Sequence, residues 1–196
     1  MKYESQFRKY FRDVGIFTFR DARRFLKMMG ASDAYAKLFV YNQVKAHGLL
    51  RVGKGYYTFV NNDALAGFAF SPFYYGLEYA LTLHKLWTQM ANPVIITTTS
   101  AVPGVRDSMG SRVIVRRISK KMFFGIERIK YNDIFIPVSD VEKTLVDFIY
   151  YRIGLNKEDT AAILKACDKR KLRRYASRSG KRTSISLSNI FAGIKK

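Results

Sequence analysis

The first sixty residues are cut into segments by their own punctuation. Gly15, Gly30 and Gly48 each follow a stretch whose apolar residues recur at helical spacing, and Thr18 and Ser32 stand where the next stretch begins. A glycine accepts the backbone conformation that closes a helix, and a Ser or Thr side chain satisfies the open amides at the start of one. Three helices follow. The first is predicted over residues 2–13, with Tyr3, Phe7, Tyr10 and Phe11 on one face. Thr18 caps the second, with Asp21 three residues on as its capping-box partner and Phe17 ahead of the cap as a hydrophobic staple. Ala22, Phe25, Leu26 and Met29 form its inward face. Ser32 caps the third, which runs to about His47 and turns Ala36, Phe39 or Val40, and Val44 inward. The run LLRVGKGYYTFV then reads as two short strands, 49–52 and 56–60, joined by the glycines of a tight hairpin. Helix, helix, turn, helix, hairpin is the order of a winged helix-turn-helix.

The rest alternates less regularly. Residues 61–72 read as a linker and 73–87 as an apolar helix. Strands are predicted over 94–99, 112–118 and 134–138, with a weaker one over 123–129, and AVPG makes a turn. Ser139 is placed to cap a helix over 140–152, with Val141, Leu145, Phe148 and Ile149 inward. Asn156 or Lys157 opens another helix, and helix and basic loop complete the chain. The expected fold class is α+β. A winged helix-turn-helix over 1–62 precedes a mixed α/β C-terminal domain over 70–196 with a helical basic tail.

Charge narrows the function. The chain carries 35 Lys and Arg against 15 Asp and Glu, a formal net charge of +20. A field of that sign attracts polyanions, nucleic acid first and an anionic membrane second. The excess gathers at the two ends: residues 1–60 hold 12 Lys and Arg against 4 acids, and residues 165–182 hold nine against one. No apolar stretch is long and unbroken enough for a membrane span. The N-terminus is charged and amphipathic, unlike a secretory signal. Cys167 is the only cysteine, which excludes an intramolecular disulfide and suits a reducing cytoplasm.

In a winged helix the third helix enters the major groove and the hairpin meets the backbone or minor groove. The outward face of the third helix offers Asp33, Tyr35, Lys37, Tyr41, Asn42 and Lys45. Asn42 suits adenine edges, and Lys37 and Lys45 suit phosphates. Ser32 and the helix N-terminus can hold a phosphate oxygen. Arg51 and Lys54 charge the hairpin, and Thr18 and Arg20 begin the second helix, which touches the DNA backbone in this arrangement. Plainer readings stand beside these: Thr18 and Ser32 as caps alone, Tyr35 and Tyr41 as packing residues, Lys37 and Lys45 as a solvated face. Auxiliary phosphate contacts fall on Arg112 and Arg116, on one face of their strand, and on Lys169, Arg170, Arg173 and Arg174 in the basic tail. A winged helix that binds protein or RNA, without operator specificity, is the alternative.

Several segments resemble a family. FTFRDARRFL and YNQVKAHGLLRVGKGYYTF are similar to the N-terminal domain of AbiEi-type antitoxins, the regulators of abortive-infection (type IV toxin-antitoxin) systems. SPFYYGLEYALTLHKLW occupies the place of that family's small-residue helix. IFIPVSDVEKTLVDFIYY resembles its "pV…ERTLlDl" helix, with Pro137, Val138, Glu142, Lys143, Thr144, Leu145 and Asp147 in register and Lys143 where Arg is usual. These segments span most of residues 15–151, and the tail lies beyond them. The resemblance implies an antitoxin that represses its own operon by binding inverted repeats in double-stranded DNA. It implies a nucleotidyltransferase-like toxin as functional partner, countered without a stable complex, and a C-terminal region that assists repression and carries the antitoxin activity. The DNA-reading role maps onto the third helix and the hairpin.

Enzyme chemistry finds little support. A nucleotidyltransferase needs a Gly-Ser turn followed by two closely spaced carboxylates to hold magnesium. Gly110-Ser111 is present, yet no acid follows until Glu127. His47 and His84 are the only histidines and lie far apart in sequence, so no metal set is expected. His47 reads as a helix C-terminal partner and His84 as a packed side chain. Asp140 and Glu142 suit a helix dipole, and Asp147 a modest ion pair with Lys143 four residues before it. Neither a nucleophile elbow nor a phosphate-binding glycine loop occurs. No catalytic residue and no cofactor are expected.

Overall fold

The computed structural model describes residues 2–53, 55–132 and 134–194. The chain is a mixed α+β protein and divides into two compact units. The first holds the residues up to Ser71 together with Asp107–Ser111, and the second Pro72–Arg106 and the chain from Arg112 onward.

The first unit is built from α1 (Glu4–Arg12), β1 (Phe17–Thr18), α2 (Phe19–Met28), α3 (Asp33–Lys45), β2 (Leu50–Gly53) and β3 (Tyr56–Thr58). The caps form as their chemistry dictates. The Thr18 hydroxyl accepts from the Asp21 amide at 3.2 Å while the Asp21 carboxylate takes the Thr18 amide at 2.8 Å. Ser32 accepts from the Tyr35 amide at 3.2 Å. The core is largely aromatic: Phe7, Phe11, Phe17, Leu26, Phe39 and Leu49 are buried, and the Phe7 ring touches those of Phe11, Phe17, Phe25 and Phe39. Each buried ring contributes about 1.5–3 kcal/mol relative to exposure.

The strand β1 was not expected. It pairs antiparallel with β3, Phe17 opposite Tyr57, so the sheet runs β1-β3-β2. The hairpin glycines divide their labour. Gly55 takes φ +81°, which a turn requires, whereas a β-carbon on Gly53 would lie 2.3 Å from that of Ala69. Ala69 belongs to a 3-10 helix over Asp63–Phe70, where a linker was expected. Ala64, Leu65, Ala66 and Gly67 are buried there, and the Asn62 side chain caps the Ala64 amide at 3.0 Å. Small apolar residues let this segment lie close to β2, so it is packed structure, not spacer.

The second unit contains β4 (Phe73–Tyr75), α4 (Leu77–Leu83), β5 (Val94–Thr97), β6 (Gly104–Ser108) up to Arg106, β7 (Ser111–Arg117) from Arg112, β8 (Ile126–Tyr131), β9 (Ile134–Ser139), α5 (Val141–Tyr151), α6 (Lys157–Ala166), α7 (Lys169–Ser179) and α8 (Lys181–Ile194). Its six-stranded sheet is mixed, in the order β6-β7-β5-β4-β9-β8. The predicted helix over 73–87 is thereby corrected. Phe73–Tyr75 is a buried strand near the middle of the sheet, antiparallel to β5 and parallel to β9, and only Leu77–Leu83 is helical. Bulky aromatics favour a strand buried on both faces, and Gly76 in extended conformation separates the two elements. Strand β6 was unforeseen, and β8 begins later than the 123–129 reading. The cap of α5 is Asp140, not Ser139: its carboxylate accepts from the Lys143 amide at 2.8 Å. Ser139 is instead buried against the Thr144 hydroxyl at 2.7 Å.

The modest pair expected between Lys143 and Asp147 is fully buried. Both side chains are 0% exposed and in contact as an ion pair. Tyr74 Oη accepts from Lys143 Nζ at 2.9 Å and donates to Asp147 Oδ2 at 2.9 Å. The ammonium lies over the Tyr74 and Phe124 rings at 5.1 and 5.3 Å. Burial pushes the Asp147 carboxyl up and the Lys143 ammonium down, each partly offset by the other's charge. Beside this network, Lys171 of α7 reaches Asp140 at 3.2 Å and Glu142 at 2.8 Å, and Tyr175 donates to Asp140 at 3.1 Å. These contacts dock one face of α7 on the start of α5. His84 is packed as expected, its Nε2 2.7 Å from the Ser139 carbonyl.

Candidate nucleic-acid interface

The helix α3 buries Ala36, Phe39, Val40 and Gln43, which leaves the opposite stripe to solvent. Lys37, Tyr41 and Lys45 follow one another at intervals of four residues on that stripe, all exposed, with Asn42 half-buried beside them. Ala34 and Leu38 complete it, both exposed. A groove runs between α3 and the sheet, lined by Phe19, Lys37, Val40, Tyr41, Arg51 and Tyr57 among others. So Lys37, Tyr41 and Arg51 are brought to one surface. Arg51 is exposed on β2, its Nε 3.3 Å from the Gly53 carbonyl. Lys54, placed at the hairpin tip by the sequence, lies outside the described residues.

Other candidates are spent elsewhere. The Thr18 hydroxyl both accepts from the Asp21 amide and donates to its carboxylate at 2.6 Å, so the cap uses it fully. Tyr35 turns back onto α1: its hydroxyl donates to the Lys2 carbonyl at 3.0 Å and its ring meets that of Tyr3 edge-on at 5.8 Å. Thr18 thus acts as a cap and Tyr35 as a packing residue, the plainer readings of both. Ser32 caps α3 as an acceptor and is exposed, so its hydroxyl hydrogen points to a ligand or to water.

On α2, sequence reasoning singled out Arg20 and passed over its companions. Arg20, Arg23, Arg24 and Lys27 recur at i, i+3, i+4 and i+7, all exposed, and line one shallow surface with Met28. That spacing was the available signal. They are not equivalent. Arg23 holds the Asp33 carboxylate in a two-point grip, at 2.9 and 2.5 Å, with Lys27 3.5 Å away. Arg23 thus holds the Asp33 carboxyl down at about 2, although both side chains keep nearly half of their surface in solvent.

In the second unit, Lys169, Arg170, Arg173 and Arg174 are exposed on α7, opposite the face that Lys171 and Leu172 dock. Arg173 lies 5.9 Å from the Phe191 ring and Arg174 5.9 Å from that of Tyr175. Arg112 is exposed. Arg116 differs from expectation: it is half-buried, its guanidinium 5.3 Å from the Tyr151 ring, and its Nε is shielded from solvent.

Among the described residues no group of three or more His, Cys, Asp or Glu is placed to hold a metal ion, and no helix is long and apolar enough to cross a membrane. The chain matches no model of a known protein family, and no curated protein matches it.

Proposed function

We propose that this protein is a sequence-specific double-stranded DNA-binding transcriptional regulator, an autorepressing antitoxin of the AbiEi type acting in the cytoplasm, and that its first unit is a winged helix-turn-helix. One observation carries the reading. The order α1, β1, α2, α3, β2, β3 with a β1-β3-β2 sheet is what a winged helix would have, and the third helix turns Lys37, Tyr41 and Lys45 outward beside Arg51. Eight residues separate Lys37 from Lys45, about 12 Å along a helix axis. With the helix lying in the major groove, the two ammonium groups would meet phosphates at separate points along it. Asn42 and Tyr41 between them face base edges, and Leu38 and Ala34 suit thymine methyl groups. Ser32 and the open amides of the α3 N-terminus take one phosphate oxygen, and Arg51 a second stretch of backbone. In this reading the operator holds inverted repeats, and the second unit carries the activity against a nucleotidyltransferase-like toxin without a stable complex.

The test is a titration against the DNA upstream of the protein's own coding sequence and a scrambled duplex, at about 50 and 200 mM salt. Preference for the upstream duplex is expected, with affinity that falls steeply with salt. The variant carrying both Lys37→Glu and Lys45→Glu should lose at least two phosphate contacts and flatten the log–log salt slope by about 2. Equal affinity for the two duplexes, or an unchanged slope in the folded variant, refutes the reading.

A further inference from the structure

A second surface of the first unit combines an apolar groove with a row of cations. Between α1 and α2 runs an apolar groove lined by Tyr10, Phe11, Val14, Phe17, Phe25 and Met28. Tyr10, Val14 and Met28 are 57%, 51% and 80% exposed. Scattered exposed apolar residues are ordinary, but three around one concave, aromatic-floored groove are a recognition surface. Aromatic rings pack on one another along it: Tyr10 lies over Phe25 at 4.7 Å, and Phe11 over Phe17 at 4.1 Å.

The edge of the groove says what fits it. Arg24 and Met28 belong both to the groove and to the basic surface of Arg20, Arg23 and Lys27, so apolar trench and cationic bank are continuous. Along α1, Lys9 and Arg12 are exposed as well. Asp21 is the one acid in the lining, and its carboxylate is turned into the Thr18 cap. Arg23 already demonstrates the chemistry of this bank by gripping the Asp33 carboxylate at two points. Arg20 and Arg24 have no such carboxylate among the described residues. A second copy of the chain is a poor occupant, because symmetric packing of this face would bring Arg24 and its neighbours against their own equivalents.

We propose that the α1–α2 groove docks an acidic amphipathic helical segment of a partner protein. Its apolar residues at i, i+3 or i+4, and i+7 enter between Tyr10, Val14 and Met28, and its flanking carboxylates pair with Arg24 and Arg20. The proposal does not rest on the DNA-binding reading.

The probe is a fluorescein-labelled synthetic 14-residue peptide with Leu and Phe at those spacings and Glu elsewhere, titrated by anisotropy into the full chain. Controls are the same composition in scrambled order and a version with Gln for Glu. Binding of the patterned peptide at least tenfold tighter than either control is expected, with a loss of at least tenfold in Met28→Glu and in Arg24→Glu. Both positions are exposed, so the fold should persist, as circular dichroism would verify. Equal binding of the scrambled peptide, or unchanged binding by Met28→Glu, would reduce the effect to general charge attraction and overturn the proposal. So would self-association abolished by Met28→Glu, which makes the groove a homodimer interface. Co-sedimentation with anionic phosphatidylserine vesicles, without peptide binding, would make it a membrane surface and overturn it too.

Discussion

Removing the carboxylate of Asp147 leaves the Lys143 ammonium in the core with only the Tyr74 hydroxyl and two aromatic faces as partners. Breaking one side of a buried pair costs about 3–5 kcal/mol. The structure also supplies a ceiling. Lys143 can escape by losing its proton, and neutralising an amine of ordinary pKa near 10.4 at pH 7 costs about 1.4 kcal/mol for each of about 3.4 pH units, close to 5 kcal/mol. Asp147→Ala should therefore lose about 3–5 kcal/mol at pH 7, a large share of a domain's stability. The sign with pH follows. With Asp147 gone, the folded pKa of Lys143 falls further below its unfolded value. Between those two values the unfolded chain binds the extra proton, and stability rises with pH by up to about 1.4 kcal/mol per unit. The assay is urea unfolding followed by the fluorescence of Trp87, the only tryptophan and a residue of the second unit, at pH 7 and pH 9. If Asp147→Ala does not fold, Asp147→Asn keeps the shape and should show the same slope. Replacing Lys143 by Met and Asp147 by Leu together should restore stability to within about 1 kcal/mol, because no charge is then stranded. A single variant that costs under about 1 kcal/mol at pH 7 with no recovery at pH 9 would refute the reasoning.

Two further outcomes follow from the local chemistry. Thr18→Ala removes the acceptor of the α2 cap and should destabilise the first unit by about 1 kcal/mol in thermal or urea unfolding, while leaving any salt slope of duplex binding unchanged because the hydroxyl is spent on Asp21. Cys167 is buried and its thiol is pushed up to about 12, by desolvation first and the nearby Glu142 carboxylate second. Against an ordinary thiol, its thiolate fraction at pH 8 is lower by about a thousandfold, so Ellman's reagent should react with the folded chain slower by about that factor and at the ordinary rate in denaturant.

What could be read from the sequence was the chemistry that closes within a few residues. Thr18 with Asp21 and Ser32 with the Tyr35 amide each span three residues and form where the caps were placed, and of the two starts offered for the helix after residue 155 it is Asn156 that caps, accepting from the Asp159 amide. Structure settled by distant partners was not legible. Strand β1 is two residues long and exists only because Tyr56 and Tyr57 lie beside it. The run FYYGLEYALTL is apolar enough for a core helix or a core strand, and residues 94–97 and 138 decide the matter for its first three positions. Lys143 and Asp147, four apart on a helix, carry the signature of a solvated pair, and nothing local to them announces the surroundings that bury both.

The candidate interface divides along the same line. Lys37, Tyr41 and Lys45 share a stripe because they share a helix, so their common exposure follows from spacing alone. The α2 cations follow the same rule, and spacing would count four equal charges. The fold makes them unequal, since Asp33 lies ten residues from Arg23 and takes up that guanidinium and part of the Lys27 charge. What remains for an outside anion is Arg20 and Arg24, at the lip of an apolar groove rather than beside the α3 stripe alone. A helix that looks in sequence like one more basic face for nucleic acid thus has two sides with different chemistry. One is satisfied by the protein itself, where Arg23 holds α2 against the Asp33 end of α3, and the other presents the guanidinium groups of Arg20 and Arg24 next to exposed Tyr10, Val14 and Met28.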